Sequence, residues 1–362
     1  MNFKYGCEEG DSVESKDFLA RLIDIPGVSG YEKEVSKEVS EVFKGYCDDV
    51  CIDDFYNVYG RKTRGTIEDK PKIMLAAHID EIGLMVKDID DKGFIKFTTI
   101  GGVDQRILLS QEVIVYGREP LFGVIGAKPP HLQERGERGT AVKIEDMTID
   151  LGLPPQKVKE LVRVGDIITF KSPLVSMQNN FVNGKSLDDR ASVAVMLETM
   201  KELDKLNFNA DVFFVATVQE EVGVRGATIS TYGVNPDIGV AIDVTHGDTP
   251  DSPKEETNEM NKGPVICIGP NLHPKLSQQL IDVAEDYSLQ YQLEVAPGPT
   301  GTDARAMQII RDGIPTLLME IPLRYMHTTV ETLNMDNIEK AGRIIAFFIA
   351  SMEEGWREWL SY

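Results

Sequence analysis

The histidines are few enough to weigh singly: five in 362 residues, at positions 78, 131, 246, 273 and 327. His78 closes the apolar run Lys72 to Ala77. Asp80 follows two residues on, a spacing that sets an imidazole and a carboxylate on one side of a strand end. A metal-bound histidine needs an acceptor to fix its tautomer, and Asp80 is spaced to be that partner. Other chemistry-bearing groups stand at the ends of other predicted elements. Asp188 and Asp189 open a long helix, and Glu220 and Glu221 end the apolar strand Val212 to Val218. Asp243 lies late in the strand Ile238 to Val244, and His327 follows the strand Thr316 to Ile321. Helix capping would explain one of the two aspartates. Solvation is the plain alternative for the glutamates, yet adjacent carboxylates at a buried strand end repel unless cations neutralise them.

This set matches what a pair of divalent ions wants. His78 and His327 supply imidazoles, Asp188 can bridge, Asp243 and Glu221 can each serve one ion, and Glu220 is left over for proton transfer. A nitrogen and oxygen ligand set suits zinc, cobalt or manganese. Paired carboxylates also cleave glycosides without metals, but that reading leaves His78 and His327 unused. The remaining histidines read structurally: His131 follows Pro129-Pro130, His246 either shapes a loop near Asp243 or supports the ligands without binding metal, and His273 begins a helix at the surface. The thirteen methionines are scattered and read as core.

The elements that hold these groups alternate in two textures. Helical patterns at Val13–Ile23 and Glu32–Phe43 precede strands at Asp48–Ile52, Asn57–Thr63 and Lys72–Ala77. From Gly83 to Ser172 short β-runs separated by Gly, Pro and Asp predict a small β-domain. After Asn183 the α/β alternation resumes, with helices at Asp189–Leu206, Lys275–Tyr287, Asp303–Ile310 and Met335–Met352. The expected architecture is one α/β domain interrupted by a β-domain. Thr249–Lys262 reads as a solvated, mobile linker.

Composition narrows the partners. A net charge of −21 repels phosphate backbones and anionic bilayers, so neither nucleic acid nor a membrane is expected. No apolar stretch approaches the roughly 18 residues of a spanning helix, and Met1–Gly10 lacks an apolar signal core. Cys7, Cys47, Cys51 and Cys267 form no disulfide framework or zinc pattern, which predicts a reducing cytoplasm.

The runs AHIDEIG (Ala77–Gly83), LDDR (Leu187–Arg190), TVQEEVGVRGA (Thr217–Ala227), IDVTHGDTP (Ile242–Pro250), GTDA (Gly301–Ala304) and RYMHTTVET (Arg324–Thr332) resemble those of the tetrahedral aminopeptidases. That family is also called glutamyl or deblocking aminopeptidases, and some members are labelled endoglucanases. The resemblance begins near Leu19 and includes GVIGAKPPHL (Gly123–Leu132). It implies a zinc-exopeptidase-like catalytic domain, a central mixed sheet flanked by helices, over residues 1–83 and 176–362. A β-barrel-like dimerisation domain would occupy 84–175. The family's dimers often build a hollow tetrahedral dodecamer.

Carried over by position, the resemblance gives His78 and Asp243 to one metal, Glu221 and His327 to the other, and Asp188 to both. Glu220 becomes the general base, with Asp80 beside it among the catalytic residues, and the Asp188–Asp189 peptide is expected to be cis. The substrate would be a peptide with a free N-terminus. Asp303 and Arg305 are candidate substrate-binding residues; Arg305 stands where many relatives have a smaller or aromatic residue, and its guanidinium could favour acidic first residues or equally pair with the site's own carboxylates. Thr328-Thr329 replaces the proline-containing run of many relatives, which should alter the loop and not the ligand. A related amidase or deacylase using the same metals, and a silent relative kept for assembly, are the alternatives.

Overall fold

The computed structural model describes residues 13–132 and 140–361; Cys7 and the leader reading of Met1–Gly10 lie outside them. The chain opens with α1 (Ser15–Asp24), α2 (Lys33–Phe43), β1 (Asp49–Ile52), β2 (Val58–Arg64) and β3 (Lys72–His78). In α2 the valines at 35, 39 and 42 and Phe43 fall on one face and are buried, the helical period at work. β3 is apolar at nearly every position because both its faces are covered.

Next come β4 (Gly83–Ile89), β5 (Ile95–Ile100), β6 (Glu112–Tyr116), β7 (Pro120–Ala127), β8 (Met147–Asp150), α3 (Pro155–Leu161) and β9 (Ile167–Phe170). These six strands close into a barrel in the order β4-β5-β8-β7-β6-β9, around a core that includes Leu84, Val113 and Ile168.

The chain then returns through β10 (Val175–Ser176), β11 (Phe181–Gly184), α4 (Leu187–Leu203), β12 (Ala210–Thr217), α5 (Arg225–Val234) and β13 (Ile238–His246). It continues with β14 (Val265–Ile268), α6 (Pro274–Asp286), β15 (Gln292–Val295), α7 (Asp303–Gln308), β16 (Thr316–Arg324), β17 (Glu331–Asn334) and α8 (Met335–Ala350). An 11-stranded mixed sheet runs β1-β2-β12-β3-β13-β16-β17-β11-β10, with β14 pairing β16 and β15. Helices α1, α2, α4, α6 and α8 pack on one face of it, and α5 and α7 on the other. Met74, Met196 and Met319 are buried in these cores, as expected. Cys47, Cys51 and Cys267 are free thiols. No helix among the described residues is long and apolar enough to cross a membrane.

Two expectations need correction. His273 does begin a helix, its Nδ1 accepting the Leu276 N–H, but it is 4 % exposed, not a surface residue. In the segment 249–262, residues 253–256 are exposed, while Asn258 is hydrogen-bonded to Glu294 and Met260 is buried in the core, so its far end is anchored.

Candidate active site

Each predicted ligand sits where a backbone element stops. His78 ends β3, Asp243 lies toward the end of β13, Glu220 and Glu221 follow β12, and His327 follows β16. These four strands are mutually parallel, so their carboxyl ends converge on one edge, where open α/β sheets bind ligands. Asp188 arrives at the start of α4, and its peptide to Asp189 is cis, as expected.

Asp188 stands between the two imidazoles. Its Oδ1 lies 3.3 Å from Nε2 of His78 and its Oδ2 lies 3.3 Å from Nε2 of His327. The same His327 nitrogen is 3.3 Å from Oε1 of Glu221. Candidate ligand atoms of His78, Asp188 and Glu221 lie within 4.8 Å of one another, and so do those of His78, Asp189 and Asp243. Asp189 therefore joins the cluster, although its position in the sequence marks it only as a helix-end carboxylate.

The outward nitrogens are held by oxygens. Nδ1 of His78 is 3.2 Å from the Asp80 carbonyl and 3.5 Å from its Oδ1; Nδ1 of His327 is 3.1 Å from the Gly102 carbonyl. Such partners draw the proton to Nδ1 and leave Nε2 for a cation. Asp80 itself accepts the Ser29 hydroxyl at 2.6 Å and the backbone N–H groups of Glu220 and Glu221 at 3.0 and 3.2 Å. Buried Glu331 accepts the N–H of Asp188 at 3.1 Å and that of His327 at 2.9 Å. His327 has φ +60°, an uncommon conformation for a side chain of its size, and the Glu331 bond secures it.

Sequence reasoning missed Glu331, Gly102 and Ser29 as positioning groups. Glu331 stood inside the RYMHTTVET run, but nothing in its local pattern says that it folds back onto two backbone amides.

The electrostatics favour a cation. Burial, then the neighbouring Asp189, holds the Asp243 carboxyl well above the usual carboxylate range. Burial pushes Glu221 up as well, against the His327 bond. Burial would lower His78, but its bonds to Asp188 and Asp80 outweigh that and hold it high. His327 is pushed up to about 11 by Asp188 and Glu221. A buried, proton-sharing set of imidazoles and carboxylates is what a site for divalent ions resembles without them, because bound ions displace those protons. The donor set therefore fits metal. Glu220 is raised to about 8, chiefly by burial, with the charges of Asp303, Asp80 and Glu221 adding to it.

A cavity of about 450 Å³ opens over this edge, lined by His78, Asp188, Glu220, Glu221, Asp243 and His327 among others. Arg305 and His246 also line it. Asp303 does not; it is buried behind, accepting the Thr217 hydroxyl at 2.6 Å. His131 lies outside the cluster and is exposed.

An imidazole and carboxylate cluster at the carboxyl edge of a mixed sheet, beside a closed barrel, defines a metal-dependent hydrolase. Residues 57–344 match the family model for M42 glutamyl aminopeptidases. The chain belongs to that family and is a metal-dependent aminopeptidase. It is 36 % identical over 328 residues to a lysyl aminopeptidase of Pyrococcus furiosus, covering 89 % of this chain and 93 % of the relative. Among solved structures, an aminopeptidase of the archaeon Desulfurococcus kamchatkensis superposes with TM-score 0.88 at 36 % identity, covering 96 % of each chain. The TET1 peptidase of Pyrococcus horikoshii, described as assembling into a tetrahedron or a large octahedral shell, gives TM-score 0.82 at 31 % identity. That match covers 94 % of this chain and all of the other.

Proposed function

We propose that this chain removes the first residue from peptides with a free N-terminus, using two divalent ions and Glu220 as the general base. His78 and Asp243 would hold one ion, Glu221 and His327 the other, with Asp188 shared. Zinc or cobalt suits this donor set best, and manganese is also compatible. The observation that carries the reading is Asp188, whose two oxygens face the Nε2 atoms of two different histidines at 3.3 Å. Asp189, close to His78 and Asp243, supports the first position from behind.

When bound, the ions would polarise the scissile carbonyl and acidify a water. Glu220 takes the proton of the attacking water, whose oxygen bonds to the carbonyl carbon, and returns it to the departing amine as the C–N bond breaks. The acidic wall around it attracts the substrate's α-ammonium, and Asp303, buried behind Glu220, adds to that field. A glycosidase would make no use of the two imidazoles beside Asp188, so the endoglucanase reading has no support in the geometry.

The barrel segment, 84–175, would serve as a dimerisation domain inserted into a catalytic domain made of 1–83 and 176–362. The relatives' assemblies favour a homo-oligomer, from a dimer up to a tetrahedral dodecamer, working in the cytoplasm.

Chelation followed by cobalt or zinc reloading tests the activity on aminoacyl chromogenic amides and on the same compounds with a blocked N-terminus. Metal-restored turnover of the free-amine substrates alone supports the proposal. Turnover of blocked substrates would move it to an amidase or deacylase.

A further inference from the structure

Beyond Asp243 the cavity wall carries two acids that peptide-bond chemistry does not use. Glu320 on β16 is in parallel register with Asp243 on β13, and Cys267 on β14 with Glu294 on β15. Val265, two residues before Cys267, opposes Glu320, so the alternation of side chains puts Asp243, Glu320, Cys267 and Glu294 on one face. All four line the cavity.

Glu320 is 6 % exposed, and its Oε2 has no hydrogen-bond partner. Its neighbour Glu294 is fixed, Oε2 accepting the Thr245 hydroxyl at 2.8 Å and the Asn258 amide at 2.6 Å. A well-packed hydrophobic residue would cost the fold less than an uncompensated buried acid. The arrangement is incomplete without a cation.

The distances suit one side chain of substrate. Neighbouring strands lie about 4.8 Å apart and residues rise about 3.3 Å along a strand. Glu320 is thus one strand step from Asp243, and the held oxygen of Glu294 reaches Thr245, two residues further along β13. A first residue placed at the ligand cluster by its amine needs a long stem ending in positive charge to meet both. Ala296 and Met326, which also line the cavity, offer apolar surface for that stem.

We propose that Glu320 and Glu294 form the subsite for the substrate's first side chain and select a cationic one, lysine or arginine. This rests on the aminopeptidase reading above. Arg305 lines the same cavity and would favour an acidic residue, but it is exposed, where water screens its charge; Glu320 is buried and Glu294 half-buried, so water screens them less.

Lysyl, arginyl, leucyl and glutamyl chromogenic amides, offered to metal-reloaded full-length protein and to Glu320→Gln and Glu294→Gln, provide the test. The wild type should show kcat/KM for Lys or Arg at least tenfold above Leu. Both variants should lower the Lys-to-Leu ratio by ten- to a hundredfold. In the wild type, lysinamide should compete against the leucyl substrate at lower concentration than leucinamide does. Faster turnover of Leu or Glu than of Lys and Arg, or an unchanged Lys-to-Leu ratio in both variants, overturns the subsite alone. No turnover of any of the four overturns the aminopeptidase reading and the subsite together.

Discussion

Oδ1 of Asp80 accepts the backbone N–H of Glu220 at 3.0 Å, so the strand end that carries His78 also fixes the loop that carries the proposed base. The same carboxylate holds the N–H of Glu221 and lies 3.5 Å from Nδ1 of His78. One side chain thus sets a ligand, a second ligand and the base relative to each other. Asp80→Asn keeps the shape but replaces one acceptor oxygen by an NH2 that faces an N–H or the imidazole. The expected result is a fall in kcat of about ten- to a hundredfold with a smaller change in KM, measured by steady-state kinetics on an aminoacyl amide.

Gly102, on the barrel side of the site, touches His327. A Cβ there would come 2.6 Å from Nδ1 of that ring. Gly102→Ala should push the imidazole off its line to Asp188 and weaken one ion far more than the other. Titration of the chelated protein with metal, followed calorimetrically, should show one of the two binding steps weakened about tenfold or more. Two unaltered steps would mean that the ring has room to yield.

Much of this site was legible because strand ends carry their own signal. The apolar runs at Lys72–Ala77 and Val212–Val218 stop at His78 and Glu220-Glu221, and the change from apolar to ionisable marks the edge of the sheet. The elements that escaped notice lack such contrast. β11 and β17, Phe181–Gly184 and Glu331–Asn334, are short and partly polar, although β17 is buried throughout. α5, with the sequence RGATISTYGV, has small and hydroxyl residues where an apolar stripe would announce a helix. β8 is only four residues long. Groups such as Glu331, Gly102 and Ser29 act through backbone bonds across the fold, and no spacing along the chain encodes those.

Glu32 makes a prediction about stability. It is fully buried, its Oε1 accepts the N–H groups of Gly30 and Gln219 at 2.7 and 3.1 Å, and its Oε2 is unpartnered. Burial, aided by the charge of Asp80, raises its carboxyl from 4.5 to about 7. Between those values the folded protein keeps a proton that the unfolded chain has released, so stability falls as pH rises through this window. Glu32→Gln keeps an accepting oxygen and removes the ionisation. It should be more stable than wild type by about 1–3 kcal/mol at pH 8, and this advantage should shrink toward pH 4.5. Urea unfolding at both pH values measures it, and a gap independent of pH would reject the burial argument.

The central claim is that Glu220 moves the proton while other residues hold the ions. The most direct measurement pairs metal content with turnover in Glu220→Gln, reloaded beside wild type and assayed on one aminoacyl amide. The expected result is about two ions per subunit in both proteins and a kcat about 10²- to 10⁴-fold lower in the variant. Near-normal turnover in a fully loaded variant would contradict the claim, and so would loss of the ions along with the activity.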